Sequence, residues 1–303
     1  MQTVEGARSS MGEVAYVDVD GIRTRFYEAG TETGDAMLLL HGGNFGQFEN
    51  VDCAENWELN WPGFAKNFRV IAMDKIGQGL TDNPPGEKAY TIDTVVSHAA
   101  GFIRTLGLTK YHLVGHSRAG YLATRLTMEY QDAVQTLTIV DSSTTVPGPN
   151  LLRGPLLAHA PRPLLSRESL EWVTRAFSFS SALLTPEWLA LRSYIAQLPK
   201  NGEAVEKMRT LEERVFMPSL ERSKEETLAW IRDGKLETPT LLVWGRNDPS
   251  AVLSGGLELF QILADHSSRV QMHIFNEAGH YCYREHPDEF VSVVTTFIAQ
   301  NAG

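Results

Sequence analysis

The sequence predicts an α/β fold in which a mostly parallel β-sheet is flanked by helices and a helical cap is inserted between two strands. Two observations predict this fold. Short unbroken apolar runs that end in polar or glycine residues alternate with amphipathic helical stretches, which is typical of parallel strands buried on both faces. The alternation then stops over residues 146–237, where prolines and amphipathic helices replace the β-like runs.

The predicted strands begin with an antiparallel hairpin and continue as buried strands. Residues 14–30 alternate between apolar and polar side chains, and Asp20-Gly21 in this stretch is a strong signal for a tight hairpin turn. The buried strands are expected within residues 36–43, 69–77, 111–117, 137–143, 240–248 and 270–280. The clearest helix between them covers residues 91–108.

The cap is expected to contain four amphipathic helices. Ser166, Thr185 and Ser223 are candidate N-caps, and Pro186 suits a first helical position. We therefore divide the chain into two units, a core domain of residues 1–145 and 238–303 and a cap of residues 146–237. Segments inserted at the carboxyl end of a parallel sheet are where binding sites are commonly built.

Composition and charge exclude several classes of protein. The net charge of −10 argues against a nucleic-acid binder, which usually carries a basic surface. The apolar runs are far shorter than the ~20 residues that span a bilayer, and the first residues contain no secretory signal. Two cysteines do not make a disulfide framework. We therefore expect a cytoplasmic protein that acts on a small molecule, without a membrane partner, and a homodimer is one assembly that the sequence allows.

No cofactor is expected, and a metal site is rejected. His280, Cys282 and His286 lie close together in the sequence. Their spacing fits no standard zinc pattern, and no second pair of cysteine or histidine residues accompanies them.

The strongest motif surrounds Ser117. The segment Gly115–Gly120 reads G-H-S-R-A-G, between a buried strand and a helix. It matches the nucleophile elbow G-x-S-x-G with alanine at the last position and glycine one place later. Such a turn lifts the serine hydroxyl to the edge of the sheet and directs a helix N-terminus at it. The alternative is a serine in an ordinary strand–helix turn.

A serine nucleophile needs a base and an acid that orients the base. In this architecture the chain order is serine, acid, histidine. His280 follows the last apolar run, and is the candidate base. Asp248 and Asp141 both follow buried strands, and either could hold the imidazole in the required tautomer. We favour Asp248, because the turn Asn247-Asp248-Pro249 leaves one helix and one strand before His280.

The oxyanion hole is expected to consist of two backbone N–H groups. One belongs to Arg118, the residue after the nucleophile. The other comes from the glycine-containing loop after an earlier strand, where Gly43 and Asn44 are both candidates.

These motifs resemble those of the α/β-hydrolase superfamily over residues 14–300. The resemblance rests on HGG (41–43), GHSRAG (115–120), WGRND (244–248) and AGH (278–280). Within that superfamily the chain is most similar to the meta-cleavage-product hydrolases, which cleave a carbon–carbon bond in 2-hydroxy-6-oxo-2,4-dienoates from aromatic degradation. This closer resemblance rests on HGGNFG (41–46), WGRND, TPEWLALRS (185–193) and AGHYCYREHPDEF (278–290).

The family resemblance implies a set of substrate-binding residues. A cap arginine of that family engages the dienoate end of the substrate, and Arg192 matches its position. Asn56 matches a family asparagine, although residues 45–62 form a longer stretch than expected. His116 replaces the usual asparagine before the nucleophile, and Tyr281 replaces the usual tryptophan after the histidine.

An anionic dienoate would need local cations in this acidic protein. Arg118, Arg192 and Arg246 are the candidates.

Three functions remain open from the sequence. The first is a serine-dependent hydrolase that converts the dienoate to a 2-hydroxypentadienoate and a carboxylic acid. The second is a carboxylesterase or lactonase with the same triad. The third is a non-catalytic ligand-binding protein on the same fold.

Overall fold

The computed structural model describes residues 11–31, 34–148 and 156–301. Within these residues one sheet of eight strands runs in the order β1-β2-β4-β3-β5-β6-β7-β8. The strands are β1 (Val14–Val19), β2 (Ile22–Gly30), β3 (Ala36–Leu40), β4 (Arg69–Met73), β5 (Tyr111–His116), β6 (Val134–Val140), β7 (Thr240–Gly245) and β8 (Val270–Phe275).

The strand pairing confirms the predicted mostly parallel sheet. Strand β2 is antiparallel to both β1 and β4, and the remaining neighbours are parallel. The hairpin at Asp20 and Gly21 is also confirmed, because Val19 pairs with Ile22 across it. The carboxyl ends of six strands therefore lie along one edge of the sheet.

Helices cover both faces of the sheet. The helices of the core are α1 (Trp61–Phe64), α2 (Ile92–Thr105), α3 (Arg118–Glu129), α8 (Leu253–Ala264), α9 (Cys282–Glu285) and α10 (Pro287–Asn301). Alternate residues of β3 face the two layers: Leu38 and Leu40 pack with α2, α3 and α8, whereas Met37 and Leu39 pack with α1 and α10. Every residue of β3 is buried, as the apolar run predicts.

Four long helices lie between β6 and β7, where the cap is expected. They are α4 (Arg167–Phe177), α5 (Pro186–Ala196), α6 (Pro199–Leu211) and α7 (Met217–Arg232), with a π-helical turn, Glu212–Phe216, between the last two. Ser166 and Thr185 cap α4 and α5 as predicted. Each hydroxyl accepts a hydrogen bond of 3.1 Å from the backbone N–H three residues later. The domain boundaries at residues 145 and 237 stay predictions, and residues 149–155 of the cap lie outside the described residues.

Ser223 is not an N-cap, which corrects one expectation. It lies inside α7, where its buried hydroxyl accepts a 2.7 Å hydrogen bond from the hydroxyl of Tyr121. The reason is that α6, the π-helical turn and α7 follow one another without a break. The polar residues before the apolar stretch of α7 therefore mark an exposed face of the helix, and no new helix starts there.

Buried charges hold the long segment between β3 and β4. Arg25 on β2 forms ion pairs of 2.6 Å with both Asp74 and Glu55. Asp74 also accepts the backbone N–H of Ala54 at 2.7 Å. These contacts fix the short turn Ala54–Trp57 against the ends of β4 and β3.

Candidate active site

Ser117 occupies the sharp turn between β5 and α3. Its backbone has φ 56° and ψ −126°, a strained conformation for a residue with a side chain. The glycines make this turn possible. A Cβ on Gly115 would lie 2.1 Å from the carbonyl oxygen of Ala119, and one on Gly120 would lie 2.5 Å from the Cβ of Ser142. Gly120, which stands one place later than in the usual motif, therefore still allows close packing against β6 and against Ser142, two residues after its end.

The structure brings Ser117, His280 and Asp248 together in one hydrogen-bonded chain. The Ser117 Oγ lies 3.0 Å from the His280 Nε2, and the His280 Nδ1 lies 2.7 Å from the Asp248 Oδ2. The other Asp248 oxygen accepts N–H bonds from Ser250 at 2.7 Å and Ala251 at 2.9 Å. Burial opposes ionisation of Asp248, but His280 and these hydrogen bonds outweigh it and lower its pKa.

Asp141, the alternative acid, does not contact His280. It lies at the end of β6, fully buried, and its Oδ1 accepts the backbone N–H of Gly245 at 2.7 Å. Burial, and then the neighbouring Asp248 carboxylate, raises the pKa of Asp141 well above its usual range. Of the two carboxyl groups at these strand ends, the ionised one is therefore the one that faces the imidazole.

The loop His41–Asn44 lies beside Ser117, and its carbonyl groups are held on one side. The Gly42 carbonyl accepts from the His41 Nδ1 at 2.9 Å, and the Gly43 carbonyl accepts from the Lys75 Nζ at 2.7 Å. In a trans peptide the N–H points away from the preceding carbonyl. The N–H groups of Gly43 and Asn44 therefore point away from the donors that hold these two carbonyls.

Of the three predicted oxyanion residues, Gly43 and Arg118 line the cavity above Ser117. Asn44 does not, and lines a much smaller hollow. Its side chain donates to the carbonyl of Phe45 at 3.2 Å. The position of the loop therefore favours Gly43 over Asn44 as the second N–H donor.

A cavity of about 580 Å³ opens above Ser117. The core contributes His280, Tyr281, His116, Gly43 and Arg118 to its wall, and the cap contributes Val173, Phe177, Met217, Leu220, Lys224 and Leu228. Its size suits a small organic molecule. The apolar residues come chiefly from the cap, so the cap sets the shape of the cavity.

His116 and Tyr281 line the cavity, as the resemblance implies. The His116 Nε2 lies 2.7 Å from the carbonyl oxygen of His280. A carbonyl only accepts, so this nitrogen carries the proton. Burial, and then the charge of His280, lowers the pKa of His116 to about 3, so its ring is neutral. His116 therefore helps to hold the backbone of His280.

Arg192 and Asn56, which the resemblance implies as substrate-binding residues, are not among the residues that line this cavity. Arg192 is fully buried. Its Nε donates to the Val51 carbonyl at 2.9 Å, its Nη1 to Thr174 at 2.6 Å and its Nη2 to Asn50. The long loop that contains residues 45–62 folds between this arginine and the cavity.

Asn56 lies in the same buried layer. Its Nδ2 donates to Asp52 at 2.7 Å, and its Oδ1 accepts from the Trp188 indole at 3.2 Å. Arg246, the third candidate cation, is exposed and pairs with Asn276 at 2.9 Å, away from the cavity. The family-derived positions are thus used here for packing the loop against the cap.

Sequence reasoning missed several polar residues of the site, among them Asn50, Asp52, Lys75 and Lys224. Asn50, Asp52 and Lys224 line the cavity, and Lys75 holds the Gly43 carbonyl from below. Burial lowers the pKa of Lys75 to about 7, while Asp52 opposes this change. Lys75 could have been found, because it lies two residues after β4, at the same sheet edge as Ser117.

No group of three or more histidine, cysteine or acidic residues in the described part of the chain could hold a metal ion. No helix in that part is long and apolar enough to cross a membrane.

Comparisons with known proteins place the chain in a family. The family model for the alpha/beta hydrolase fold matches residues 35–287. The 2-hydroxymuconate semialdehyde hydrolase of Pseudomonas sp. strain CF600 is 29% identical, over 92% of this chain and 92% of that protein. The 2-hydroxy-6-oxo-2,4-heptadienoate hydrolase of Pseudomonas putida strain F1 is 27% identical, over 92% and 94%.

Solved structures agree with these relatives. A variant of the meta-cleavage product hydrolase from Pseudomonas fluorescens IP01, complexed with acetates, superimposes with a TM-score of 0.76. It is 26% identical, and the match covers 94% of this chain and 97% of that one. The chain therefore belongs to the α/β-hydrolase family, and it is a hydrolase similar to the meta-cleavage product hydrolases.

Proposed function

We propose that the protein hydrolyses a carbon–carbon bond in a 2-hydroxy-6-oxo-2,4-dienoate, with Ser117, His280 and Asp248 as its catalytic triad. The observation that carries the proposal is the hydrogen-bonded chain of 3.0 Å and 2.7 Å between these residues on the wall of a closed-over cavity. The relatives named for dienoate and semialdehyde substrates support the choice of substrate class.

The first step moves a proton. His280 takes the proton of the 2-hydroxyl group and returns one to C5, which converts the dienol to a 2,6-diketone with a C3–C4 double bond. The carbonyl at C2 then becomes an electron sink for C5. The ionised Asp248, 2.7 Å from the His280 Nδ1, stabilises the imidazolium that forms in between.

The second step breaks the C5–C6 bond. With His280 as base, Ser117 or a water molecule that it positions attacks the C6 carbonyl. The N–H groups of Gly43 and Arg118 stabilise the oxyanion, aided by the N-terminus of α3. Collapse releases C5 as a dienolate, which His280 protonates. If Ser117 attacks, the acyl group stays on its Oγ until a water molecule, with His280 as base, cleaves the ester and releases the acid. If water attacks, the acid forms directly. Either route consumes one water molecule, and the products are a 2-hydroxypentadienoate and a carboxylic acid.

The purified protein tests this proposal with two yellow substrates, 2-hydroxymuconate semialdehyde and 2-hydroxy-6-oxo-2,4-heptadienoate. We expect loss of the visible absorbance and one 18O atom from labelled water in the released acid. An aryl ester, 4-nitrophenyl acetate, is assayed beside them. A higher kcat/KM for the ester, with no dienoate cleavage, would establish the carboxylesterase or lactonase alternative instead.

A further inference from the structure

The cavity must hold an anion, although the protein is acidic overall. The proposed substrate carries a carboxylate at C1, and the net charge of the chain is −10. The binding cations must therefore lie in the cavity wall itself. Three basic residues line it within the described residues: Arg118 at the start of α3, Lys224 in the middle of α7 and Arg232 at its exposed end.

Arg118 and Lys224 form a positively charged part of the wall near Ser117. The Arg118 guanidinium lies 5.3 Å from the centre of the Phe216 ring, and the Lys224 ammonium donates to the Gly148 carbonyl at 2.9 Å. Burial, and then the charge of Arg118, lowers the pKa of Lys224. Both cations line the same cavity, and an anion bound to both would be stabilised by charge-assisted hydrogen bonds.

Acidic groups also line the cavity, and one of them, Glu221, partly offsets the lowering of the Lys224 pKa. Glu221 and Glu225 lie on the exposed rim of α7, where solvent and salt screen their charges. Asp52 is buried and already engaged, since it accepts from Asn56 at 2.7 Å and from Asn50 at 3.0 Å. Its pKa is lowered despite burial, chiefly by Arg192.

Glu49 also lines the cavity within the described residues, and it lies half-buried in the same long loop as Asp52. The negative groups therefore belong to the rim and to that loop, whereas the positive pair belongs to α3 and α7.

We propose that the side chains of Arg118 and Lys224 form a carboxylate-binding subsite for the substrate. The inference rests on the proposed function, because it names the part of the dienoate substrate that this wall recognises. The carboxylate has two sources in this substrate class: C1 of the dienoate, or an acidic group on the C6 acyl substituent. In either case the subsite replaces the contact that the sequence assigns to Arg192, which the loop seals from the cavity.

The experiment compares three substrates with wild type and Lys224→Met. Two are dienoates that share C1 and differ at C6, one with a methyl and one with a carboxyethyl substituent. The third is neutral 4-nitrophenyl acetate. Loss of a charge-assisted hydrogen bond should lower kcat/KM about 10- to 100-fold, chiefly through KM. A loss on both dienoates identifies C1 as the bound group, and a loss on the carboxyethyl substrate alone identifies the acyl group.

Matched variants separate binding from folding. Lys224→Arg keeps the charge and should restore most of the lost kcat/KM. Arg222→Met changes a cation of the same helix that is exposed and pairs with Asp93 at 2.6 Å, outside the cavity, and should change nothing. Ester hydrolysis by Lys224→Met is measured in parallel, and the loss of kcat/KM on the affected dienoate should exceed any loss on the neutral ester. Equal kcat/KM of Lys224→Met and wild type on both dienoates would overturn the subsite.

A further measurement keeps the subsite testable if neither dienoate is cleaved, which would reject the proposed function alone. Sorbate, a simple dienoate anion, is then titrated as a competitive inhibitor of ester hydrolysis. Its inhibition constant should rise about tenfold in Lys224→Met and stay unchanged in Arg222→Met. An unchanged inhibition constant in Lys224→Met would contradict a carboxylate site at these residues.

Discussion

The two sides of the cavity are built on different principles. Ser117 directly follows β5, whereas Asp248 and His280 lie three residues after β7 and five residues after β8. All three reacting groups therefore lie close to strand ends at one edge of the sheet. The opposite side consists of the long loop after β3 and of cap helices, held by side-chain contacts such as those of Arg192. The reaction centre is therefore specified locally by strand ends, whereas the substrate contacts depend on how distant segments pack.

The sharpest way to test the reaction centre is Ser117→Ala. Triad residues act as a unit, so the loss of the nucleophile should lower kcat by several orders of magnitude, about 10³-fold or more. The melting temperature should stay the same or rise. Alanine is as small as serine, so it should fit the strained backbone conformation at position 117. Turnover within tenfold of wild type would show that the chemistry lies elsewhere.

The pair Asp248→Asn and Asp141→Asn tests which strand end supplies the acid. Asp248→Asn removes the charge 2.7 Å from the His280 Nδ1, and should lower kcat about 10³- to 10⁴-fold. Asp141→Asn changes a buried carboxyl group that does not contact His280 and whose pKa is raised by burial and by Asp248, and we expect kcat within about tenfold of wild type. The reverse ranking of the two variants would transfer the role to Asp141.

The difference between the two sides also explains what the sequence could predict. The elbow at Ser117 was predictable because its signals are local: a buried strand, small neighbours and a helix start. The choice between Asp248 and Asp141 needed coordinates, because both follow buried strands and only packing decides which one faces His280. Arg192 matched a family position, but the loop that buries it is anchored by Arg25, which lies far away in the sequence.

Lys75→Met tests how the loop His41–Asn44 is supported. This loop carries the proposed oxyanion N–H group of Gly43 and joins the two sides of the cavity. The Lys75 ammonium holds the Gly43 carbonyl at 2.7 Å. Without it we expect kcat to fall about 10- to 100-fold, less than the ~10²- to 10³-fold typical for removal of an oxyanion donor itself. The control is Lys200→Met, since Lys200 also donates to a carbonyl, that of Gly79 at 3.0 Å, but away from Ser117. Equal kcat values for the two variants would remove Lys75 from this role.

Lys75 should also affect how stability depends on pH. Its pKa falls from 10.5 to about 7 in the folded protein, mainly through burial. Between these values the unfolded chain binds the proton and the folded chain does not, so this group makes the wild type more stable as pH rises from 7 to 10. Lys75→Met lacks that contribution. Denaturant titrations should therefore show the stability of the variant, relative to wild type, decreasing over this range, and a constant difference would contradict the assigned pKa.

Arg192→Met has the smallest expected effect on catalysis and the most direct bearing on the comparison between the two sides. Removal of a buried charge partner leaves Asp52 uncompensated and Val51 and Thr174 without their donors, which should destabilise the fold by about 3 kcal/mol. Because Arg192 lies behind the cavity wall, kcat/KM should fall by similar factors for the dienoate and for the neutral ester. Arg175→Met, at an exposed arginine of α4 paired with Glu171 at 2.8 Å, should leave stability within about 0.5 kcal/mol of wild type. A loss confined to the dienoate, with an unchanged melting temperature, would instead mean that the loop opens and that Arg192 binds the substrate directly.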